Sequence, residues 1–505
     1  MRTRFTAVVV GVGLVAVACS SSSVPPHRPA HAPNVLFILA DDLDLAATAA
    51  KYMPHVQSLI AQQGMTLDNY FISNSLCCPS RTTIVRGQYA HNTGVEANAG
   101  PHGGFPAAYR SKVVDDTVGT WMQKGGYATA LYGKFLNGYP NTAGASYVPT
   151  GWSDWGGAID SPQAYGEYNY DVVRNGTKTH FGTGDANYGT NVYTGFADDF
   201  VRAQSNANKP FFAYLALFAP HQPAMPAQQD LTKFAPERAP RSPSYDEADV
   251  SDKPAWVRAV PRLSPSLAAD VDALYRRCIR SLQAVDRGVA KLIDTLQSTG
   301  ELANTYVVFT SDNGFHLGEH RLPAGKRTPY ESDIHVPFYV RGPGIAAGSH
   351  ASVIAGNVDL AATFAAIGSA KPSLALDGRS LLDIWHGHSA TSWRSGYLLE
   401  HWPEPQRIQQ TSDHDLSVSI KSALGKAEPS HIPHYVGVRT LRYTYVEYET
   451  GERELYDLQS DPDELDNLAP ATTPSVLDGW HRYLTPMTTC RGAGCLTADT
   501  ATPPQ

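Results

Sequence analysis

The sequence predicts an α/β protein: a large central, mostly parallel sheet flanked by helices, followed by a smaller carboxyl-terminal α+β subdomain. Three observations lead there. Short continuous apolar runs end in polar residues, as strands buried on both faces do. Long stretches of helical period lie between them. Alternation of apolar and polar residues, the mark of half-buried antiparallel strands, appears near the carboxyl end.

The first apolar run, Asn34 to Ala40, ends in Asp41-Asp42. Tyr127 to Tyr132 ends in Gly133-Lys134, Phe211 to Leu217 in Ala219-Pro220-His221, and Asn304 to Thr310 in Ser311-Asp312-Asn313-Gly314. Ligands of open α/β sheets gather beyond the carboxyl ends of the strands, so these four ends predict an active-site rim. Apolar positions recur at helical spacing from Ala268 to Thr299, just ahead of the last of these strands. The Gly- and Tyr-rich stretch from Gly138 to Gly195 shows no sustained period and reads as loop insertions over the site. A helix over Asp359 to Ile367 precedes a boundary near Gly368 to Asp377. Beyond it Val436 to Thr440, Tyr443 to Tyr448 and Glu454 to Leu458 read as strands, and Ser475 to Leu484 as a final helix. A catalytic domain is therefore expected over 34–372, the subdomain over 373–497 and a tail over 498–505.

The amino terminus carries Arg2 and Arg4, an apolar run from Ala7 to Ala18, and then Cys19, the pattern of an export signal. Ala16 and Ala18 before Cys19, with Ser20 to Ser23 after it, predict a bacterial lipoprotein. Residues 1–18 are then removed, a lipid on Cys19 holds the chain at the cell-envelope membrane, and 19–33 form a tether. The alternative is an ordinary cleaved signal and secretion. No other apolar run is long enough to cross a membrane. A formal charge of −8 argues against nucleic acid as a partner but permits a local basic pocket.

Five of the six cysteines remain after Cys19. Cys490 and Cys495 flank Arg491-Gly492-Ala493-Gly494, a loop that predicts a local disulfide, and Cys278 reads as a buried free thiol on the long helix. Cys77 and Cys78 are neighbours. A disulfide between adjacent residues is strained, which favours a chemical role for one of them.

Asp41, Asp42, Asp312 and Asn313 offer hard oxygen ligands from two strand ends, suited to Ca²⁺ and less to Mg²⁺. Either pair alone would read as a cap or turn; two pairs together favour a cation site. The run Cys77-Cys78-Pro79-Ser80-Arg81, continuing to Gly87, resembles the sulfatase signature Cys-x-Pro-Ser-Arg with a following Gly. Asp41-Asp42, Gly133-Lys134, Ala219-Pro220-His221, Ser311 to Gly314, Gly325-Lys326-Arg327 and Glu454 to Leu458 stand in sulfatase order around it. Leu76 to Arg81, Tyr89 to Asn92, Gly133 to Asn137 and Val340 to Ile345 are most similar to N-acetylglucosamine-6-sulfatases and heparan-6-O-endosulfatases.

This resemblance implies an alkaline-phosphatase-like fold and hydrolysis of sulfate monoesters, with sulfated sugars as a candidate substrate class. It also implies that a formylglycine-generating enzyme converts Cys77 to formylglycine (3-oxoalanine) before export. The hydrated aldehyde joins Asp41, Asp42, Asp312 and Asn313 around the cation and attacks sulfur; Lys134 and Lys326 hold sulfate oxygens, and Arg81 holds the nucleophile loop and metal ligands. His221 and Lys326 assist the leaving oxygen, and loss of a proton from the second hydroxyl releases sulfate.

The chain departs from the pattern in two places. Leu136 stands where many arylsulfatases carry a His that could serve as base for the release, and Asp44 replaces a common Gly. His316 and His320 read either as substrate contacts or as loop packing. Two other functions compete: a phosphomonoester or phosphonate hydrolase of the same superfamily, and a non-enzymatic surface lipoprotein that binds sulfated glycans with Cys77 unmodified.

Overall fold

The computed structural model describes residues 1, 32–388, 393–403 and 432–504. The export signal, Cys19 and most of the tether lie outside the described residues. Ten strands form the main sheet: β1 (Asn34–Asp41), β2 (Met65–Phe71), β3 (Ala128–Gly133), β4 (Asp154–Ala158), β5 (Tyr170–Arg174), β6 (Thr177–Phe181), β7 (Phe211–Pro220), β8 (Thr305–Ser311), β9 (Phe338–Arg341) and β10 (Ser349–Gly356). Their order is β10-β2-β9-β8-β1-β7-β3-β4-β5-β6. β1 pairs in parallel with β7 and β8, β3 with β7 and β4, and β2 with β10. Only β5 and β9 run against the rest.

Successive side chains of a strand face opposite ways, and β1 is apolar throughout because both its faces are covered. Leu36, Ile38 and Ala40 join one core with Leu274, Ile279, Leu282 and Leu292 of the helix Pro265–Ser298. Val35, Phe37 and Leu39 join the other with Val118 and Trp121 of the helix Val118–Lys124 and with Phe364 of the helix Leu360–Ile367. The long helix begins where the sequence supplies a stop and a start: the Ser264 side chain accepts from the Leu267 amide, and Pro265 takes the first helical position.

The stretch from 138 to 195, expected as loop insertions, instead adds β4, β5 and β6 to one sheet edge and starts the helix Gly189–Asn206. Pairing of β5 with β6 needs only a tight turn at Asn175-Gly176, both at positive φ, which a period search does not see. Four antiparallel strands, β11 (Gly396–His401), β12 (Tyr435–Thr440), β13 (Tyr443–Tyr448) and β14 (Arg453–Asp457), make a second sheet in chain order. The helix Pro474–Thr488 packs against it through Trp480, whose ring stacks on Tyr445. This sheet's core includes Tyr330 and Ile334, just after Lys326, so it also backs one wall of the site. Cys490 and Cys495 form the expected disulfide, and Cys278 is a buried free thiol. Among the described residues no helix is long and apolar enough to cross a membrane.

Candidate active site

Parallel register carries the polar strand ends to one place. Ala40 lies opposite Ser311 and Asp41 opposite Pro220, so Asp41-Asp42, Asp312-Asn313 and His221 leave the sheet side by side. β3 ends in Gly133, at φ +97, where a Cβ would lie 1.9 Å from the Ala216 carbonyl oxygen. Only glycine passes that point, and it delivers Lys134 to the same edge. Asp42 sits in the left-handed region at φ 64, which for a residue other than glycine is strain held by its surroundings.

Cys77 is the first residue of the helix Cys77–Arg86, aimed at the strand ends. The Cys78 amide in the first turn donates to Asn98 Oδ1 at 2.8 Å, and Gly87, at φ 68, closes the helix. The thiol is fully buried. Its Sγ lies 3.4 Å from Asp41 Oδ1 and 2.8 Å from Lys326 Nζ, which also donates to Asp42 Oδ1 at 2.6 Å. Burial, reinforced by Asp41, pushes the thiol well above its ordinary pKa despite Lys134 and Lys326. Cys77 as plain cysteine is therefore a protonated, weak nucleophile.

Arg81, one turn on, is buried and spends its fork on the site. Its Nε donates to Asp312 Oδ2 at 2.7 Å, Nη1 to the Lys134 carbonyl at 3.0 Å, and Nη2 lies 3.6 Å from Asp41 Oδ2. Ser80 Oγ donates to the Asp312 carbonyl. Lys134 Nζ reaches Asp41 Oδ2 at 2.5 Å. Burial raises the Asp41 pKa, but Lys134, His221, Arg81 and Lys326 outweigh it and hold the carboxyl far below the usual range. Asp312 goes the other way: burial and Asp41 push it up to about 6 in spite of Arg81.

His221 lies within 3.5 Å of Asp42 Oδ2 through Nε2, while Nδ1 is 2.6 Å from the Gln222 carbonyl. A carbonyl only accepts, so Nδ1 carries a proton. Burial disfavours the charged ring, yet Asp42 and Asp41 prevail and raise its pKa. All of the residues expected at the site, Asp41, Asp42, Cys77, Arg81, Lys134, His221, Asp312, Asn313 and Lys326, are buried around this one cluster.

The cluster fits a divalent cation. Asp41, Asp42, Cys77 and His221 each offer a ligand atom within 4.8 Å of the others. Asn313 Nδ2 donates to Asp42 Oδ1 at 2.6 Å, leaving Asn313 Oδ1 and Asp42 Oδ2 buried without a hydrogen bond. Buried oxygens are rarely left so, and two on adjacent ligands make a socket of hard donors.

Of the two histidines beyond the metal pair, His316 Nδ1 bonds Asp333 at 2.9 Å, and His320 Nδ1 bonds Glu247 at 2.7 Å with its ring tilted against Tyr330, contacts of the loop-packing kind. Leu136 is buried in the apolar core, and Asp44 accepts from the Ala47 amide, closing a local turn. Three contributors escape sequence reasoning. Asn98 holds the nucleophile turn; Asp333 accepts from the Thr328 amide and hydroxyl, two residues after Lys326; and Tyr165 packs on His221. The only sequence signal for Tyr165 is the density of tyrosines around it.

A parallel α/β sheet with a buried cysteine, hard-oxygen cation ligands and three cationic side chains at its carboxyl edge defines a hydrolase of esters of strong oxyacids. The sulfatase family model matches residues 33–369, and the chain belongs to that family of sulfuric ester hydrolases. It is 33% identical over 530 residues to the arylsulfatase of Volvox carteri, spanning 96% of this chain and 78% of that protein. It is likewise 33% identical over 479 residues to the N-acetylglucosamine-6-sulfatase of Homo sapiens, spanning 92% and 86%. A solved structure of a protein in complex with its substrate D-glucosamine-2-N,6-O-disulfate superposes with a TM-score of 0.72 at 24% identity, over 93% of this chain and 99% of that one.

Proposed function

We propose that this protein hydrolyses sulfate monoesters of sugars, glucosamine 6-sulfate-like groups foremost, with Cys77 matured to formylglycine. The observation that carries this reading is the meeting of Cys77 with Lys326, Asp41 and Asp42 at the sheet edge, in a setting where an unmodified thiol stays protonated. The likeness to the glucosamine-6-sulfatases supports the sugar.

Asp41, Asp42, Asp312 and Asn313 would hold a divalent cation, Ca²⁺ before Mg²⁺, which when bound polarises the sulfate ester and offsets charge on attacking oxygen. Lys134 and Lys326 bind sulfate oxygens as point charges, and the amino end of the helix Cys77–Arg86 faces the same anion. Arg81 fixes Asp312 and the Lys134 backbone, so that neither drifts as charge moves. His221 holds its proton at Nδ1 against Gln222 and presents Nε2 beside Asp42, from where it protonates the departing sugar oxygen. The maturing enzyme is a formylglycine-generating partner, and the export signal over residues 1–18 ahead of Cys19 supports a lipid-anchored protein at the cell envelope, with plain secretion as the alternative.

Sulfate release from glucosamine 6-sulfate by protein made with the maturing enzyme, beside mass spectrometry of the Cys77 peptide, tests this. An aldehyde at Cys77 and sulfate release support it. An intact thiol in fully active protein, or turnover of phosphonate esters in preference to sulfate, overturns it.

A further inference from the structure

Tyr165 ends the short helix Pro162–Tyr165, in the stretch that joins β4 to β5. It is 2% exposed, although no other part of that stretch carries a predicted site residue. One ring touches two of the site's cations. Lys134 Nζ stands 4.9 Å from its centroid, and the His221 ring packs on it at 4.6 Å, tilted by 49°. The ring is fixed from behind and at its tip: Phe218 meets it edge-on at 5.0 Å, and Asn137 Nδ2 donates to the hydroxyl at 3.1 Å.

We infer that Tyr165 is a positioning residue of the sulfatase reaction, its ring holding Lys134 and His221 at their working places. This rests on the function proposed above. The buried Lys134 ammonium pairs with Asp41 Oδ2 at 2.5 Å. The ring's negative face supplies a second attraction, without the proton acceptor that a carboxylate would add. For His221, the same ring is a wall that keeps the imidazole turned so that Nε2 stays beside Asp42 while Nδ1 stays on Gln222. The hydroxyl accepts from Asn137 and so anchors the ring. A shift of about 1 Å in a catalytic group can cost on the order of a hundredfold in rate, which sets the scale of the effect.

The test compares Tyr165→Phe with Tyr165→Leu in the matured protein, reading kcat and KM on a sulfate monoester, thermal unfolding and the extent of Cys77 maturation. Leu should lower kcat by about 30-fold or more with KM changed by less than about threefold, and Phe should restore kcat to within about threefold of the parent. A Leu variant with parental kcat, or a Phe variant as impaired as Leu, overturns the inference. Should Leu unfold the protein, singly to fully fluorinated phenylalanines at 165 preserve shape while emptying the ring face. A stepwise fall in kcat along that series supports the role, and a flat series refutes it. A parent protein that releases no sulfate at all speaks against the proposed function, not against Tyr165.

Discussion

Two of the places where the molecule buries carboxylates treat them in opposite ways. In the second sheet Glu454 is fully buried, and its oxygens accept from three hydroxyls: Tyr330 at 2.8 Å, Tyr456 at 2.6 Å and Tyr448 at 2.6 Å. Every acceptor has a neutral donor. At the edge of the main sheet Asp41, Asp42 and Asp312 face Lys134, Lys326 and Arg81, and still Asp42 Oδ2 and Asn313 Oδ1 have no hydrogen bond. The first arrangement is closed and serves the fold. The second holds unmet acceptors among densely packed, paired charges, a state that is costly unless something further binds there.

The contrast is broken or sharpened by substitution. Cys77→Ala should reduce sulfate release by about 10⁴-fold or more while leaving thermal unfolding close to the parent, measured on initial rates. Removal of divalent cations with a chelator should abolish most activity, and Ca²⁺ should restore it better than Mg²⁺. In the same experiment Ca²⁺ at a hundred times its dissociation constant should stabilise the protein by about 2.7 kcal/mol. Asp42→Asn should remove that cation-dependent stabilisation and lower turnover by about 10²-fold or more, and in chelator it costs stability as well, because Lys326 loses a buried carboxylate partner. Glu454→Gln should spare turnover: rates near the parent, and a loss of about 1 to 3 kcal/mol in denaturant unfolding, because one tyrosine hydroxyl loses its acceptor. Tyr448→Phe, the mildest, should cost about 1 kcal/mol and no activity. Equal losses of turnover for Asp42→Asn and Glu454→Gln would erase the distinction.

The central strands were legible because burial on both faces writes an uninterrupted apolar run, and their polar ends marked the edge where the site lies. β1, β3, β7 and β8 follow from that one rule. β4 to β6 were not legible: Gly156-Gly157 and the exposed Thr177–Phe181 give neither run nor alternation, and their pairing is set by the turn and by the neighbouring edge. β11 was passed over for a similar reason, since all six of its residues, Glu400 and His401 included, are buried and so do not alternate. At the site, residues next to strand ends could be placed by chain position alone. Tyr165, Asn98 and Asp333 could not, because each arrives from a loop or short helix whose path is decided by tertiary packing. His316 and His320 follow Asp312-Asn313 closely in sequence, yet their Nδ1 partners, Asp333 and Glu247, could not be read from chain position.

Ser80, three residues past Cys77, bonds the carbonyl of Asp312, 232 residues later in the chain. During synthesis the residues around Cys77 therefore leave the ribosome long before the strand that covers them exists. In the folded chain Cys77 has no exposed surface, which leaves its sulfur too deep for a second enzyme to engulf. Any change that a second enzyme makes at this residue must be finished while the chain is still open, so the rate at which the carboxyl-terminal half is made and folded sets the time allowed for it. A variant that folds faster would gain nothing in activity and would accumulate as a well-formed protein with an idle thiol.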